Sequence, residues 1–276
     1  SYLNFDMYKK YIRLQACQVL FELEIESNCL FQRIENAFSY LLCDEYNNDI
    51  TNIKRISVYT TNETTNIHLN DVLYLSCEKD NLEIVLSAII DIISDSLEFY
   101  PDGYSFYHSF VVSKDTEAIL FIAPTHQGKT TIGTALTLNG YMYVSDDIAV
   151  FNENGQLIPF CLPIKLRKTE LLCKTDLSNK YHIISTKNYD FLIPHQNIFG
   201  RFSPRKVVFL KREHNSKNAV NVLKLDGFDA LHRLIKNASY CRSILSHTLS
   251  SKRIVQNCHE FLEITYTSGL EVLKYI

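Results

Sequence analysis

Residues 118–147 read AILFIAPTHQGKTTIGTALTLNGYMYVSDD and carry the strongest structural signal in the chain. The apolar run AILFI is typical of a buried strand, and the pattern from about residue 129 to 139 predicts a helix that Gly140 ends. The strand YMYV follows and runs into the acidic pair Asp146-Asp147. Strand, loop, helix, strand and acidic end, in this order, are typical of a mononucleotide-binding unit.

The loop between the first strand and the helix fits the pattern G-x-x-x-x-G-K-[ST] except at its first position, which is Ala123. In such a loop, backbone N–H groups and the helix N-terminus surround nucleotide phosphates, the Lys neutralises the outer phosphates, and the hydroxyl binds Mg²⁺. Lys129 and Thr130 take these two roles, Thr130 as a metal ligand. An ordinary strand-to-helix turn is the alternative, but the flanking strand and helix favour a phosphate loop. The predicted nucleotide-binding residues of the loop are Ala123, Thr125, His126, Gln127, Gly128, Lys129, Thr130 and Thr131.

Asp146 and Asp147 close the strand after the helix, where a P-loop enzyme has a carboxylate that coordinates Mg²⁺. Two adjacent carboxylates allow two roles: one holds the metal or its water, and the other accepts the proton of an attacking hydroxyl. A solvated turn is the alternative interpretation. The phosphate loop earlier in the chain favours the interpretation in which the two carboxylates bind the metal and accept the proton.

The rest of the chain predicts an α/β protein with two domains. Residues 1–100 are expected to form an α+β lobe that serves acceptor recognition, and residues 101–276 the domain that contains the loop. Strand-like stretches lie at 11–25, 56–61, 72–77, 107–113, 118–124, 148–152, 163–166, 206–213 and 219–225, and helical ones near 30–42, 82–97, 228–236 and 251–262. No period dominates residues 168–200, so long loops are predicted there.

Composition excludes several classes of protein. Hydrophobic residues make up 46% of the chain, with only 8 Gly and 6 Pro, which predicts a compact fold rather than a disordered one. The 28 Lys and Arg nearly balance the 31 Asp and Glu, so neither nucleic acid nor a membrane is an expected partner. The 8 Cys include no C-x-x-C pair, and no secretory signal is visible, so we expect reduced thiols and a cytoplasmic protein.

The residues from 104 to 170 resemble the catalytic domain of HPr serine kinase/phosphorylase. They are still more similar to the shorter HPr-kinase-like proteins that phosphorylate lasso-peptide precursors. The resemblance rests on His108 in a strand before the loop, on the loop itself, on N-G-Y-M-Y-V-S-D-D-I-A-V-F, and on G-x-L-I-P-x-x-x-P-I-K-L. It implies a catalytic core like that of HPr kinase and PEP carboxykinase, built on a mixed sheet.

The same resemblance implies an ATP- and Mg²⁺-dependent kinase whose acceptor is a Ser of a peptide or small protein. It implies that Lys129, His108 and Asp146 are catalytic, with Asp146 as the base, and that Asp147 binds the metal. It also implies that Lys165 and Arg167 are cations near the phosphates, although a solvated strand end explains them equally well.

Two other functions stay open: a nucleotide-binding regulatory module without transfer, and a kinase that acts on a small molecule. The oligomeric state is open as well, a homo-oligomer included. A second basic cluster, of which Arg201 and Arg205 are part, is interpreted as a solvated strand edge, with a phosphate or an acidic acceptor as the alternative ligand.

Overall fold

The computed structural model describes residues 9–16, 18–43, 50, 52–168, 176–196, 200–213, 220–240 and 243–276. The chain divides into two compact units, one formed by Ser1–Tyr100 and Ile183–Ile193 and the other by Pro101–His182 and Pro194–Ile276. The sequence assigned residues 183–193 to the second domain. They belong to the first unit because Thr186 and Asn188 donate hydrogen bonds of 2.7–2.9 Å to the carboxylate of Glu83.

The first unit is a five-stranded sheet with two helices. Its strands are β1 (Lys10–Ala16), β2 (Val19–Ile25), β3 (Asn52–Thr60), β4 (Thr64–Leu69) and β5 (Val72–Glu78), hydrogen-bonded in chain order. Helix α1 (Asn28–Ala37) begins at Ser27, whose hydroxyl accepts a hydrogen bond from the Leu30 amide, and it connects β2 to the parallel strand β3. Helix α2 (Leu82–Ser94) begins at Asn81 in the same way and buries eight of its side chains.

The second unit contains a nine-stranded mixed sheet. Its strands are β6 (Ser105–Lys114), β7 (Glu117–Ile122), β8 (Met142–Ser145), β9 (Ile148–Phe151), β10 (Leu157–Ile158), β14 (Ser203–Arg212), β15 (Val220–Lys224), β16 (Ala238–Tyr240) and β17 (Glu260–Tyr266). Its helices are α3 (Lys129–Leu138), α4 (Gly227–Lys236) and α5 (Ile244–Asn257). Strands β7, β14 and β17 are parallel neighbours, so their carboxyl ends meet at one edge. The α/β class with a mixed sheet is therefore confirmed.

Two local predictions are wrong, and one strand of the first unit was missed. The helix predicted at 251–262 ends at Asn257, and Glu260–Tyr266 forms β17 instead, because its alternating apolar residues fit a strand. The loops predicted at 168–200 include β12 (Tyr181–Ser185) and β13 (Tyr189–Pro194), two arms of a hairpin; residues 169–175 and 197–199 lie outside the described residues. Strand β4 was not predicted at all.

Two further observations concern helix length and the cysteines. Within the described ranges, no helix is both long and apolar enough to cross a membrane. Cys29, Cys77, Cys161 and Cys258 form no disulfide with any described residue. Cys17, Cys173 and Cys241 lie outside the described residues.

Helix α3 packs so closely on β6 that one of its positions accepts only glycine. An ideal Cβ on Gly133 would lie 2.0 Å from Cδ1 of Phe110, a side chain that is itself fully buried. Gly133→Ala is therefore expected to lower the free energy of unfolding by roughly 1–3 kcal/mol, although Ala normally stabilises a helix relative to Gly. Chemical denaturation should measure this loss. Gly269→Ala is the matched control, because its Cβ would meet Ile132 at an ordinary 3.5 Å.

Candidate functional site

The loop predicted to bind phosphate connects β7 to α3 at the edge where the carboxyl ends of the parallel strands meet. Ala123 is buried at its start, and Gly128 caps α3 with φ 79°, in the left-handed region. A Cβ at position 128 would also lie 3.1 Å from the hydroxyl of Tyr266. Glycine is required there for both reasons. His126 has φ 63°, and with Thr125 it lies exposed at the tip of the loop.

Two residues far away in sequence anchor this loop. The hydroxyl of Tyr266, at the end of β17, donates a hydrogen bond to the carbonyl of Gln127. Burial raises the pKa of Tyr266 to about 12, so the phenol keeps its proton at neutral pH. The backbone amide of Arg212, at the end of β14, donates to Oε1 of Gln127 at 2.5 Å. Tyr266 was missed in the sequence, and Arg212 was interpreted only as part of the second basic cluster, because nothing in the sequence connects either residue to the loop.

Lys129 begins α3, and its side chain turns back onto the loop. Its Nζ donates to the carbonyl oxygens of Ala123 and Pro124 at 2.9 and 3.0 Å, and the residue is only 6% exposed. Burial lowers the pKa of Lys129 to about 8, although nearby Asp146 and Asp147 oppose this shift. The ammonium is thus held by backbone acceptors, at the position where a phosphate loop requires a positive charge.

The side chains of Thr130 and Asp146 place a hydroxyl oxygen and two carboxylate oxygens side by side next to the loop. The Thr130 hydroxyl lies 3.3 and 3.4 Å from the two carboxylate oxygens of Asp146, which is 3% exposed. Burial, and then the charge of Asp147, raise the pKa of Asp146 well above its usual value. A buried carboxylate beside a hydroxyl is a donor set that fits Mg²⁺, which prefers hard oxygen ligands and takes few of them from the protein. Among the described residues, no group of three or more His, Cys, Asp or Glu could hold a metal.

Asp147 lies at the tip of the turn between β8 and β9. Its φ of 65° is left-handed, and its side chain is 47% exposed. The backbone amide of Asp147 donates to Oδ1 of Asp146 at 3.0 Å, which holds the buried carboxylate against the backbone of the turn. The turn is closed by Ser145, whose hydroxyl donates to the carbonyl of Ile148. Asp146 and Asp147 thus lie in a turn and not within a strand, so the strict alternation of strand side chains does not apply to them.

His108, on β6, positions the backbone of Asp147. Its Nδ1 lies 3.0 Å from the carbonyl oxygen of Asp147 and 4.0 Å from Oδ1 of the same residue. A carbonyl only accepts hydrogen bonds, so Nδ1 carries the proton when the imidazole is neutral. Burial and then Lys129 lower the pKa of His108, against the effect of Asp147, which favours that neutral form. Nε2 is buried, and none of the described residues gives it a hydrogen bond.

The contacts above bring several of the predicted residues together. His108, Lys129, Thr130, Asp146 and Asp147 are brought together by the contacts above, and Thr131 follows them in the first turn of α3. The two predicted cations lie on β11 (Ile164–Arg167), where Lys165 is half-buried and Arg167 is exposed. Their place near a phosphate stays a prediction.

The second basic cluster has partners of its own. Arg205 forms an ion pair with Glu117 of the neighbouring strand β7, and Nη1 of Arg201 donates to Oε1 of Gln156 at 3.4 Å. These contacts fit the solvated strand edge that the sequence suggested.

A cavity of about 520 Å³ lies at the carboxyl ends of β7 and β14, next to the start of the loop. Ala123 and Pro124 form one wall, Phe209 and Leu210 another, and α4 contributes charged side chains, among them Lys236. In open α/β sheets, ligands bind in the crevice outside the carboxyl ends of the strands. The loop therefore borders a space large enough for part of a small ligand.

Known proteins resemble this chain in structure rather than in sequence. Neither a scan against protein-family models nor a search of curated proteins found a match to this chain. Among solved structures, the chain is similar to the HPr(Ser) kinase/phosphatase from Coxiella burnetii, with a TM-score of 0.31 and 16% sequence identity. The alignment covers 62% of this chain and 90% of that one.

Proposed function

We propose that this protein is a phosphotransferase that uses ATP and Mg²⁺ to phosphorylate a hydroxyl group. One observation carries the proposal: a buried Lys, a hydroxyl beside a buried carboxylate, and an exposed carboxylate converge where a glycine-capped loop enters a helix. Phosphoryl transfer needs positioning and charge neutralisation more than covalent help from the protein, and these groups supply both.

In this proposal, Lys129 exchanges its two backbone carbonyl partners for phosphate oxygens, which compensate its charge better than carbonyls do. Thr130 and Asp146 hold Mg²⁺ through the hydroxyl and the buried carboxylate. When bound, Mg²⁺ neutralises charge that develops on the phosphate oxygens. The backbone amides of the loop at the N-terminus of α3 orient the phosphates.

The geometry supports an assignment of the two aspartates opposite to the one that the resemblance implies. Asp146 is buried against Thr130, the predicted metal ligand, so it suits the metal. Asp147 is half exposed, so an incoming hydroxyl can reach it, and His108 holds its backbone in place. We therefore assign Asp147 as the base that accepts the proton of the acceptor hydroxyl, and His108 as a positioning residue.

We further propose that the acceptor is a serine in a peptide or small protein. The exposure of Asp147 supports an acceptor that need not fit inside a closed pocket, and the resemblance of residues 104–170 points to the same class. The test is transfer of label from γ-labelled ATP, with arrays of Ser-containing peptides compared with free serine and glycerol. Mg²⁺-dependent labelling of peptides is expected. Labelling of the small molecules alone would contradict the peptide acceptor, and nucleotide binding without any transfer would contradict the kinase.

Thr130→Val keeps the shape of the side chain but removes the hydroxyl that we assign to the metal. We expect the rate of transfer to fall at low Mg²⁺ and to recover partly when Mg²⁺ is raised, because the remaining ligands still bind the ion more weakly. A titration of rate against Mg²⁺ measures this. Thr134→Val, one turn further along α3, is the matched control, since none of the described residues pairs with that buried hydroxyl. A defect that Mg²⁺ does not relieve would make Thr130 purely structural.

ATP affinity is expected to fall as the pH rises through about 8. Burial lowers the pKa of Lys129 to about 8 in the free protein, so the ammonium that binds phosphate is fully present at pH 7 and is lost above pH 8. The dissociation constant should then rise by up to about tenfold per pH unit. Calorimetric titration between neutral and alkaline pH tests this. Lys129→Arg, which stays charged throughout, should remove the dependence.

A further inference from the structure

The cavity beside the loop is lined by a stacked pair of side chains that the proposed transfer does not use. Cζ of Arg233, on α4, lies 5.8 Å from the centre of the Phe209 ring, on β14. Phe209 is buried, with 5% of its surface exposed, whereas the side chain of Arg233 is 33% exposed. Both residues line the cavity. The guanidinium therefore covers the aromatic ring and leaves part of its own surface accessible.

An ion pair holds Arg233 in this position. Its Nη1 donates a hydrogen bond to the carboxylate of Glu263, on β17, which also lines the cavity. A guanidinium is planar and always charged, so a carboxylate at its edge and an aromatic ring against one face leave the opposite face as a flat surface. Nucleobases stack on aromatic rings and guanidinium planes in proteins that bind them. The arrangement of Arg233 is thus suited to a base.

The order of the strands gives the distance of this surface from the loop. Strand β16, directly after α4, pairs with β6, the neighbour of β7, so α4 ends on the side of the loop. Glu263 lies two strands away from β7, which corresponds to roughly 10 Å at the usual spacing of strands. This is the order of the distance between the phosphates and the base of a nucleotide. Lys236, almost one turn after Arg233, is exposed and lines the same cavity.

We propose that this cavity binds the nucleoside of the phosphate donor, with the base stacked on the guanidinium of Arg233. The inference rests on the proposed function, because it assigns the binding site of a second part of ATP. The aspartates at the end of β8 lie on the side of β6, since β8 pairs with β6. The side of β14 and β17 is therefore left for the nucleoside. Lys236 supplies positive charge to the phosphates nearest the ribose.

Inorganic tripolyphosphate lacks the nucleoside, so its comparison with ATP tests the inference. Calorimetric titration of the full chain with Mg²⁺ should show that the wild type binds ATP more tightly than tripolyphosphate. Arg233→Ala and Arg233→Lys should each weaken ATP binding by roughly tenfold, because the stacking surface is lost, and leave tripolyphosphate binding unchanged. Arg233→Lys keeps the charge beside Glu263, so it separates stacking from electrostatics. Arg205→Lys is the matched control, because Arg205 also pairs with a glutamate of a neighbouring strand but lies outside the cavity.

Lys236→Ala should give a different pattern and weaken both ligands alike, because this residue meets phosphate and not the base. It lies at the exposed end of α4, so it remains informative if Arg233→Ala does not fold. Unchanged ATP binding in both Arg233 variants, or equal affinity of the wild type for the two ligands, would overturn the nucleoside site and leave the proposed function standing. Equal loss of both ligands in Arg233→Lys would also overturn the stacked base. A wild type that binds neither ligand would overturn the proposed function as well.

Discussion

Lys129→Ala is expected to reduce phosphoryl transfer by roughly 10²- to 10³-fold or more, the usual cost of removing one donor that stabilises charge in a transition state. The variant loses the only buried Lys among the described residues. It keeps the backbone of the loop, because Gly128, Gln127 and Tyr266 hold that backbone independently of the lysine. ATP binding should therefore weaken without disappearing.

The measurement is a single-turnover rate beside a calorimetric titration with ATP. Lys114→Ala is the matched control, since Lys114 is an exposed residue at the end of β6 and has no place in the site. An unchanged rate in Lys129→Ala would remove the phosphate-loop interpretation and with it the proposed function. Loss of transfer with intact thermal stability would support a direct role of the ammonium.

Local signals in the sequence were sufficient for the elements that carry the loop. Gly128 and Gly140 delimit α3, and the predicted helix at 129–139 differs from the observed one by a single residue. The apolar run AILFI was likewise sufficient to predict β7. A short apolar run between turn residues indicates a buried strand whatever the rest of the sequence is.

Interactions between distant residues could not be predicted. Tyr266 and Gln127 are 139 positions apart, and their hydrogen bond depends on β17 lying beside β14. The sequence suggested a helix over the first three residues of β17 and no element over the rest. The exposure of Asp147 depends in turn on a left-handed φ at a non-glycine residue. The alternation of strand residues does not predict that conformation, so the burial of Asp146 and the exposure of Asp147 could not be predicted from the sequence.

The two aspartates should differ in what their replacement impairs. Asp147→Asn is expected to lower turnover by roughly 10²- to 10⁴-fold, the usual contribution of a positioned base, while the affinity for Mg²⁺ and ATP stays nearly unchanged. Asn tolerates the left-handed φ of 65° at this position, so the turn should survive. Asp146→Asn should instead weaken Mg²⁺ binding, because the buried carboxylate beside Thr130 loses its charge.

Single-turnover rates beside a Mg²⁺ titration separate the two effects. Asp115→Asn serves as the control, because Asp115 also has a left-handed φ, 55°, but lies in the turn between β6 and β7. The reverse pattern, with metal affinity lost in Asp147→Asn, would restore the roles that the resemblance implies and leave the kinase proposal intact. Wild-type rates in both variants would contradict the kinase proposal itself. Asp147 would then be only an exposed residue of a solvated turn, and Asp146 only a residue that stabilises that turn.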